Sequence, residues 1–426
     1  MKKKCDPCAV LPALVFIALI AGISLWNILL PRKDFSEMEN RSLAAFPPLS
    51  FEQIRSGKWM SEFDDYASDQ FLFRDGFMKI KTAADLSLLR QDNGRVYFGK
   101  DGYLFPMSQI DETQETAALK LVSDFAAKAL ERDPRLRLSV LLAPTAQSVL
   151  SDKLPPHAPV SDEPAALRRA ADFLHAAVPG LIFTDPLAQL RSAASAPGGE
   201  DPAGEYGDEP ADGEGQLYYR TDHHWTTDGA YLAYRQWAQD NGFTPASRNS
   251  FQRETVSHSF LGTNQAKAPG YTVLPDPIAV YTPKEPVGPC RITVWKDAAD
   301  PAEIEIRDSF YDPAFLKTKD QYAYFLGGND PQLRVETPVK NGRKLLLIKD
   351  SYANCMVPFL ALHFEEIYIT DLRYSHGKLL PAPGDGTGDA AGGVSPAGFT
   401  DVMFLYNIES FSSDKNLAYL TQLKLN

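Results

Sequence analysis

The chain has 426 residues, with 43 Lys and Arg against 55 Asp and Glu for a formal net charge of -12. That length allows one to three domains around a large core, and the acidic balance argues against nucleic-acid binding. Beyond Cys5 and Cys8 at the N-terminus, Cys290 and Cys355 are too few for a disulfide framework, and the sequence leaves their pairing open.

The N-terminus reads as a membrane anchor. Met1-Lys2-Lys3-Lys4 precedes a nearly uncharged apolar run from Ala9 to Leu30, closed by Arg32, Lys33 and Asp34. Such a run can cross roughly 30 Å of hydrocarbon as a helix. The lysines put the N-terminus on the cytoplasmic side and the rest of the chain outside. No small-x-small site ends the run, so an uncleaved transmembrane helix is expected rather than a removed signal peptide. Cys5 and Cys8 precede it and no cysteine follows closely, which argues against a lipoprotein.

Residues 32–95 are polar with a helical pattern. Phe46-Pro47-Pro48 forms a rigid extended segment, and Trp59, Phe63, Tyr66, Phe71, Phe73 and Phe77 recur among acids and arginines. A helical stalk is expected, and a docking surface for a membrane partner is the sharper reading. The third region, 96–426, opens with a hairpin over Val96–Phe105 that turns at Lys100-Asp101-Gly102. Helices are expected over Glu112–Arg132 and Ala165–Ala177. Apolar strands are expected over Leu136–Leu142, Leu181–Thr184, Lys344–Ile348, Glu366–Thr370 and Asp401–Tyr406. Helices alternating with buried strands specify an α/β fold with a mostly parallel sheet. Two insertions, near 195–215 and 381–398, have little to bury and read as disordered surface loops.

The chemistry concentrates in two stretches. In Tyr219-Arg220-Thr221-Asp222-His223-His224-Trp225 an acid, two imidazoles and an indole are consecutive. Extended backbone would put Asp222 and His224 on one side and turn His223 away. A carboxylate beside an imidazole fixes its tautomer and stabilises its cation, which is the acid–base half of a triad. Thr226 or Thr227 then caps a helix that carries Asp228 in its first turn and ends at Asn241-Gly242.

The second stretch is Leu345-Leu346-Leu347-Ile348-Lys349-Asp350-Ser351. A buried strand runs into a turn, followed by a helical run through Phe364, so the Ser351 hydroxyl emerges at the carboxyl edge of the sheet. Serine needs a base to act as a nucleophile, and His224 is the candidate. Helix capping is the plain alternative for Ser351, with Asp350 able to take that role instead. Gly327-Gly328-Asn329-Asp330 allows close backbone approach and supplies an amide for an oxyanion, although the same composition also makes ordinary turns. Trp225 could pack in the core or stack on a sugar. Arg373, after a strand end, could meet an anionic group or form a surface ion pair. No further carboxylate or histidine lies at ligand spacing, so neither metal nor cofactor is expected.

Together these pieces resemble the SGNH hydrolase superfamily. More closely, the chain is similar to the DHHW family, which is related to the AlgX/AlgJ-like alginate O-acetylation proteins. The likeness rests on Asp222-His223-His224-Trp225, Gly99-Lys100-Asp101-Gly102-Tyr103-Leu104-Phe105, Ala143-Pro144-Thr145, Gly327-Gly328-Asn329, Lys349-Asp350-Ser351-Tyr352-Ala353-Asn354 and Asp371-Leu372-Arg373-Tyr374. The resemblance implies an SGNH-like three-layer α/β/α sandwich behind one N-terminal transmembrane helix. It implies Ser351 as nucleophile, His224 as base and Asp222 as orienter, with the Ser351 N–H and Asn329 holding the oxyanion and Gly328, His223, Trp225 and Arg373 near substrate. It further implies acetyl transfer to an extracytoplasmic polysaccharide, with a multi-spanning membrane acyltransferase as partner. An acetylesterase using the same triad and a non-catalytic carbohydrate-binding envelope protein are the alternatives.

Overall fold

A computed structural model of the chain describes residues 7–36, 38–39, 41–196, 215–285, 288–300, 302–379 and 398–423, the side chains of 7–10 and 28 excepted. The lysine tail and most of both insertions lie outside the described residues. The chain divides into two units, one of 1–93 with 265–272 and one of 94–264 with 273–426.

The first unit holds α1 (Pro7–Leu29), α2 (Phe51–Arg55), α3 (Lys58–Asp69) and α4 (Arg74–Ser87). Gly57, in the left-handed region at φ 76°, separates α2 from α3. The Phe46 ring of the extended segment sits edge-on to Trp59, Phe63 and Tyr66, with centroids 6.4, 6.1 and 5.2 Å away. Arg41 pairs with Asp69 through both guanidinium nitrogens, at 2.9 and 2.5 Å. Among the described residues no helix is long and apolar enough to cross a membrane.

The second unit is built on eight strands: β1 (Arg137–Ala143), β2 (Ile182–Thr184), β3 (Arg291–Trp295), β4 (Ile304–Arg307), β5 (Gln332–Glu336), β6 (Lys344–Lys349), β7 (Glu366–Thr370) and β8 (Asp401–Asn407). They lie in the order β4-β3-β5-β7-β6-β8-β1-β2. From β7 to β2 every neighbour is parallel, while β4, β3 and β5 run antiparallel. The five expected strands make up the parallel half. The antiparallel extension, and the hairpin Phe251–Phe260/Asp276–Pro283, are additions. Segments such as Ile304-Glu305-Ile306-Arg307 carry alternating polar residues and lack the apolar runs that mark buried strands.

Strands β6 and β8 are buried along nearly their whole length, which requires cover on both faces. The register identifies the covers. Phe125 of α5 (Glu112–Arg132) meets Phe404 edge-on, centroids 5.7 Å apart, and Phe404 pairs with Val140. Trp237 of α8 (Thr227–Asp240) donates to Ser139, one residue earlier and therefore on the opposite face. Helices α5 and α8 thus sandwich the sheet. The helices α6 (Glu163–Ala177) and α7 (Leu187–Ser195) complete the layers that the alternation specified.

Two local readings need correction. Residues 216–220 do not form a sheet strand; Tyr218 makes one bridge to Trp225 and the chain bends between them. The helical run after Ser351 is broken into a 3-10 turn (Ser351–Ala353) and a short helix (Val357–Leu360), because Pro358 cannot continue the hydrogen-bond ladder of a preceding turn.

At the exit of β1, Glu163 is buried and accepts from the Thr145 N–H at 2.8 Å and from the Thr145 hydroxyl. Burial, with help from Glu409, pushes its carboxyl up to about 8. A carboxyl raised in the folded state holds its proton where the unfolded chain has released it, so stability falls as pH rises from about 4.5 toward 8. Glu163→Gln mimics the neutral acid. It is expected to leave Tm at pH 5 unchanged and to raise it at pH 8, measured by thermal unfolding across that range.

Candidate active site

The loop that carries Asp222 and His224 is pinned at its base. The Tyr219 N–H donates to the His224 carbonyl at 3.2 Å, and the Thr226 N–H to the Leu217 carbonyl at 2.9 Å. Buried Asp276 then gathers the Arg220 N–H (3.0 Å), the Thr221 N–H (2.8 Å), the Thr221 hydroxyl (2.7 Å) and the Gln216 amide (2.8 Å). Thr226 caps α8 by accepting from the Gly229 N–H. The loop is therefore fixed by backbone bonds and by one carboxylate before any catalytic geometry is considered.

Within it Asp222 is buried, and both of its carboxylate oxygens are fully used. Oδ1 accepts from the His224 N–H at 3.0 Å and from His224 Nδ1 at 2.5 Å. Oδ2 accepts from the Thr263 N–H at 2.8 Å and the Thr263 hydroxyl at 2.9 Å. Burial pushes the Asp222 carboxyl up, but the two imidazoles and these donors outweigh it and hold the group well below the usual carboxylate range. An ionised carboxylate only accepts, so His224 carries its proton on Nδ1. Its Nε2 lone pair faces the Ser351 Oγ at 2.8 Å. The three residues come from the DHHW loop and from the end of β6 and form one continuous hydrogen-bonded chain.

Ser351 is free for that contact because Asp350 does the capping. Asp350 accepts from the Tyr352 N–H at 2.8 Å and from the Asn407 N–H at 2.9 Å, which ties the turn to β8. Just before it, fully buried Lys349 donates to Asn329 and to Asn354, both at 2.8 Å, and lies 3.6 Å from Asp371. Burial pushes the Lys349 ammonium down, against the pull of Asp371.

Asn329 follows three consecutive left-handed residues, Leu326, Gly327 and Gly328, at φ 62°, 71° and 96°. Leucine is costly there and glycine is not; a Cβ at Gly327 would also collide with the Arg307 guanidinium. With Lys349 and Asn354 both donating to Asn329 Oδ1, the amide NH₂ is turned away from Lys349. Gly328 and Asn329 thus join the network under Ser351.

Three other expected residues have different surroundings. Trp225 is 0 % exposed and donates its indole N–H to the Tyr352 carbonyl at 2.9 Å, so it is a core residue and offers no face to a sugar. Arg373 pairs with buried Asp371 at 2.8 and 2.5 Å. Because the loop bends, His223 does not diverge: its ring centroid is 3.9 Å from that of His224, and its Nδ1 lies 2.8 Å from the Thr263 hydroxyl. Ligand atoms of Asp222, His223 and His224 consequently lie within 4.8 Å of one another. Both Asp222 oxygens and both His224 nitrogens are already hydrogen-bonded, so a cation there would have to displace the chain that reaches Ser351.

Sequence reading missed Thr263, Gly262 and Tyr322. Thr263 sits 41 positions from Asp222 in the chain. Gly262 leaves room for it: a Cβ there would collide with the Asp222 side chain. Tyr322 stacks on His224, centroids 3.8 Å apart and planes at 10°. Only the glycine offered a signal, as a point of close approach.

Gly262→Ala is expected to fold and to displace the carboxylate from His224. A displacement near 1 Å costs about 10²-fold in rate, to be read in the reaction of Ser351 with an activated ester. Asp276→Ala leaves several buried donors unpaired, at about 1–3 kcal/mol each. A clear fall in Tm is the expected outcome.

The sequence and the fold have known counterparts. The family model described as DHHW protein matches residues 211–370. The model described as SGNH hydrolase-like domain, acetyltransferase AlgX, matches residues 96–268. The "Probable alginate O-acetylase AlgJ" of Pseudomonas syringae pv. tomato is 25% identical over 237 residues, 52% of this chain and 51% of that protein. The chain thus spans about half the length of this curated relative. Among solved structures, a DHHW family protein from Eubacterium siraeum shares the fold at a TM-score of 0.53 and 21% identity, covering 78% of this chain and 99% of its own. Bacillus cereus PatB1, solved with a sulfonyl adduct, does so at a TM-score of 0.56 and 20% identity, covering 76% and 98%. The chain is thus similar to the DHHW proteins over residues 211–370 and to the AlgX SGNH hydrolase-like domain over 96–268, on a fold that solved structures share.

Proposed function

We propose that the protein is a serine-type O-acetyltransferase acting on a polysaccharide outside the cytoplasm. The observation that carries this reading is the chain Asp222 Oδ1–His224 Nδ1 at 2.5 Å and His224 Nε2–Ser351 Oγ at 2.8 Å. The partial likeness to AlgJ, named as a probable alginate O-acetylase, supports the acetyl group and a polysaccharide acceptor.

In this reading the Ser351 oxygen attacks the carbonyl carbon of an acetyl donor while His224 Nε2 takes the hydroxyl proton. Asp222 stabilises the resulting imidazolium. Ser351 is the first residue of its turn, so its N–H has no intrahelical acceptor and can meet the oxyanion, with the Asn329 NH₂ as second donor. Collapse breaks the bond to the donor's leaving group, which takes the proton from His224 and leaves an acetyl ester on Ser351. A sugar hydroxyl then repeats the steps in reverse, giving its proton to His224 and carrying the acetyl away.

The chain is held at the membrane by α1, with the second unit outside. This is supported by the 23 residues of α1 and by the outward apolar side chains it presents from Leu11 to Leu29. The nearly uncharged apolar sequence from Ala9 to Leu30, closed by Arg32 and Lys33, is of the length that about 30 Å of hydrocarbon needs. A multi-spanning membrane acyltransferase that delivers acetyl across the bilayer is the partner such an arrangement would need.

Incubating the full chain with an activated acetyl ester is expected to give an acetyl adduct by intact mass, absent in Ser351→Ala and His224→Ala. Asp222→Asn, which favours the wrong tautomer, should slow acylation by about 10³–10⁴-fold. Adding a polysaccharide acceptor should speed loss of the adduct and label the sugar; loss to water alone, unaffected by any acceptor, would make the protein an esterase. In cells, the full chain should stay with membranes after alkaline carbonate washing, and a chain lacking residues 1–31 should not.

A further inference from the structure

His224 has a neighbour outside the Asp222–His224–Ser351 chain that meets it through its ring face. The Tyr322 ring lies parallel to the imidazole, centroids 3.8 Å apart and planes at 10°. The same tyrosine donates its hydroxyl to the Ser351 carbonyl at 3.2 Å, and that hydroxyl lies 3.4 Å from the Cys355 sulfur. Tyr322 is 5 % exposed. Burial pushes its phenol well up, so the hydroxyl stays protonated and can donate. Its other neighbours are aromatic: Tyr219 and Phe325, at centroid distances of 6.2 and 5.2 Å. One rigid side chain therefore touches the face of the imidazole and the backbone of the nucleophile turn at once.

Resting on the triad reading above, we propose that Tyr322 is a positioning residue: its ring fixes the plane of His224 and favours the imidazolium that forms when Ser351 gives up its proton, while its hydroxyl locks the Ser351 turn to that plane. An aromatic face attracts a cation lying against it, and the attraction is strongest where water is excluded. The neutral imidazole gains less from the ring than the cation does, so the contact acts on the charged intermediate more than on the resting state. The other titratable groups facing His224 are Asp222, His223, Tyr352, Asp320 and Asp350.

The two roles separate by substitution. Tyr322→Phe keeps the stack and loses the hydroxyl; Tyr322→Leu loses the stack. The experiment measures the rate of Ser351 acylation by an activated acetyl ester as a function of pH, with the full chain. Tyr322→Phe should keep the wild-type pH midpoint and slow acylation a few-fold. Tyr322→Leu should slow it at least about tenfold and lower the midpoint by about one pH unit, the size expected for a desolvated cation–π contact. A wild-type midpoint in Tyr322→Leu would overturn the proposal, because a merely structural role changes rate or folding without moving the titration of His224. If Tyr322→Leu does not fold, the wild-type protein decides. The His224 carbon-bound proton resonances, identified by their loss in His224→Ala, should be shifted upfield by the Tyr322 ring, and unshifted resonances would overturn the stack. A wild-type chain that forms no adduct at any pH would instead bring down the triad reading, and this inference with it.

Discussion

One buried carboxylate sets the geometry of the second unit's site. Asp222 is sealed from water, and a charge in that position is tolerable only if every lone pair is answered. It is answered by four donors, two from His224 and two from Thr263. The cost of leaving any one of them unmade explains the surrounding sequence. Gly262 must lack a side chain, Thr263 must present both its N–H and its hydroxyl, and Asp276 must hold the preceding loop. His224 can adopt only the tautomer that leaves Nε2 facing Ser351.

The Ser351 side of the site is built from the same logic applied to a lysine. Lys349 is fully buried and surrounded by Asn329, Asn354 and Asp371, and Asp371 is paired in turn with Arg373. Burying an ammonium is costly unless it is paired and hydrogen-bonded, and removing one partner leaves the rest exposed to that cost. The network therefore fixes both asparagine amides and the approach of β6 to its terminal turn. It explains why Lys349, Asp350, Ser351 and Asn354 lie so close together in sequence. Each serves a different contact around one hydroxyl.

Much of this was legible in the chain, for identifiable reasons. Buried parallel strands such as Leu345–Ile348 appear as uninterrupted apolar runs, and the helix at Glu112–Arg132 appears by its amphipathic periodicity. Asp222, His224 and Ser351 were legible because each sits at a local junction whose geometry constrains what it can reach. The antiparallel strands were not, since short alternating segments such as Gln332-Leu333-Arg334-Val335-Glu336 also suit exposed loops. Thr263 and Tyr322 were invisible because they reach the site from loops distant in sequence and of ordinary composition. His223 was misdirected by assuming extended backbone where the chain bends; of the two readings open for Trp225, the enclosed indole fits core packing.

We propose that Ser351 Oγ is the atom acylated and that the Asp222–His224 pair drives its acylation. A crystal structure of the protein after reaction with an activated acetyl ester or a sulfonyl fluoride tests it most directly. The account predicts a covalent group on Ser351 Oγ, its oxygen near the Ser351 N–H, and His224 still bonded to Asp222. A covalent group on another residue, or an unmodified Ser351 from a reaction that consumed the reagent, would contradict it.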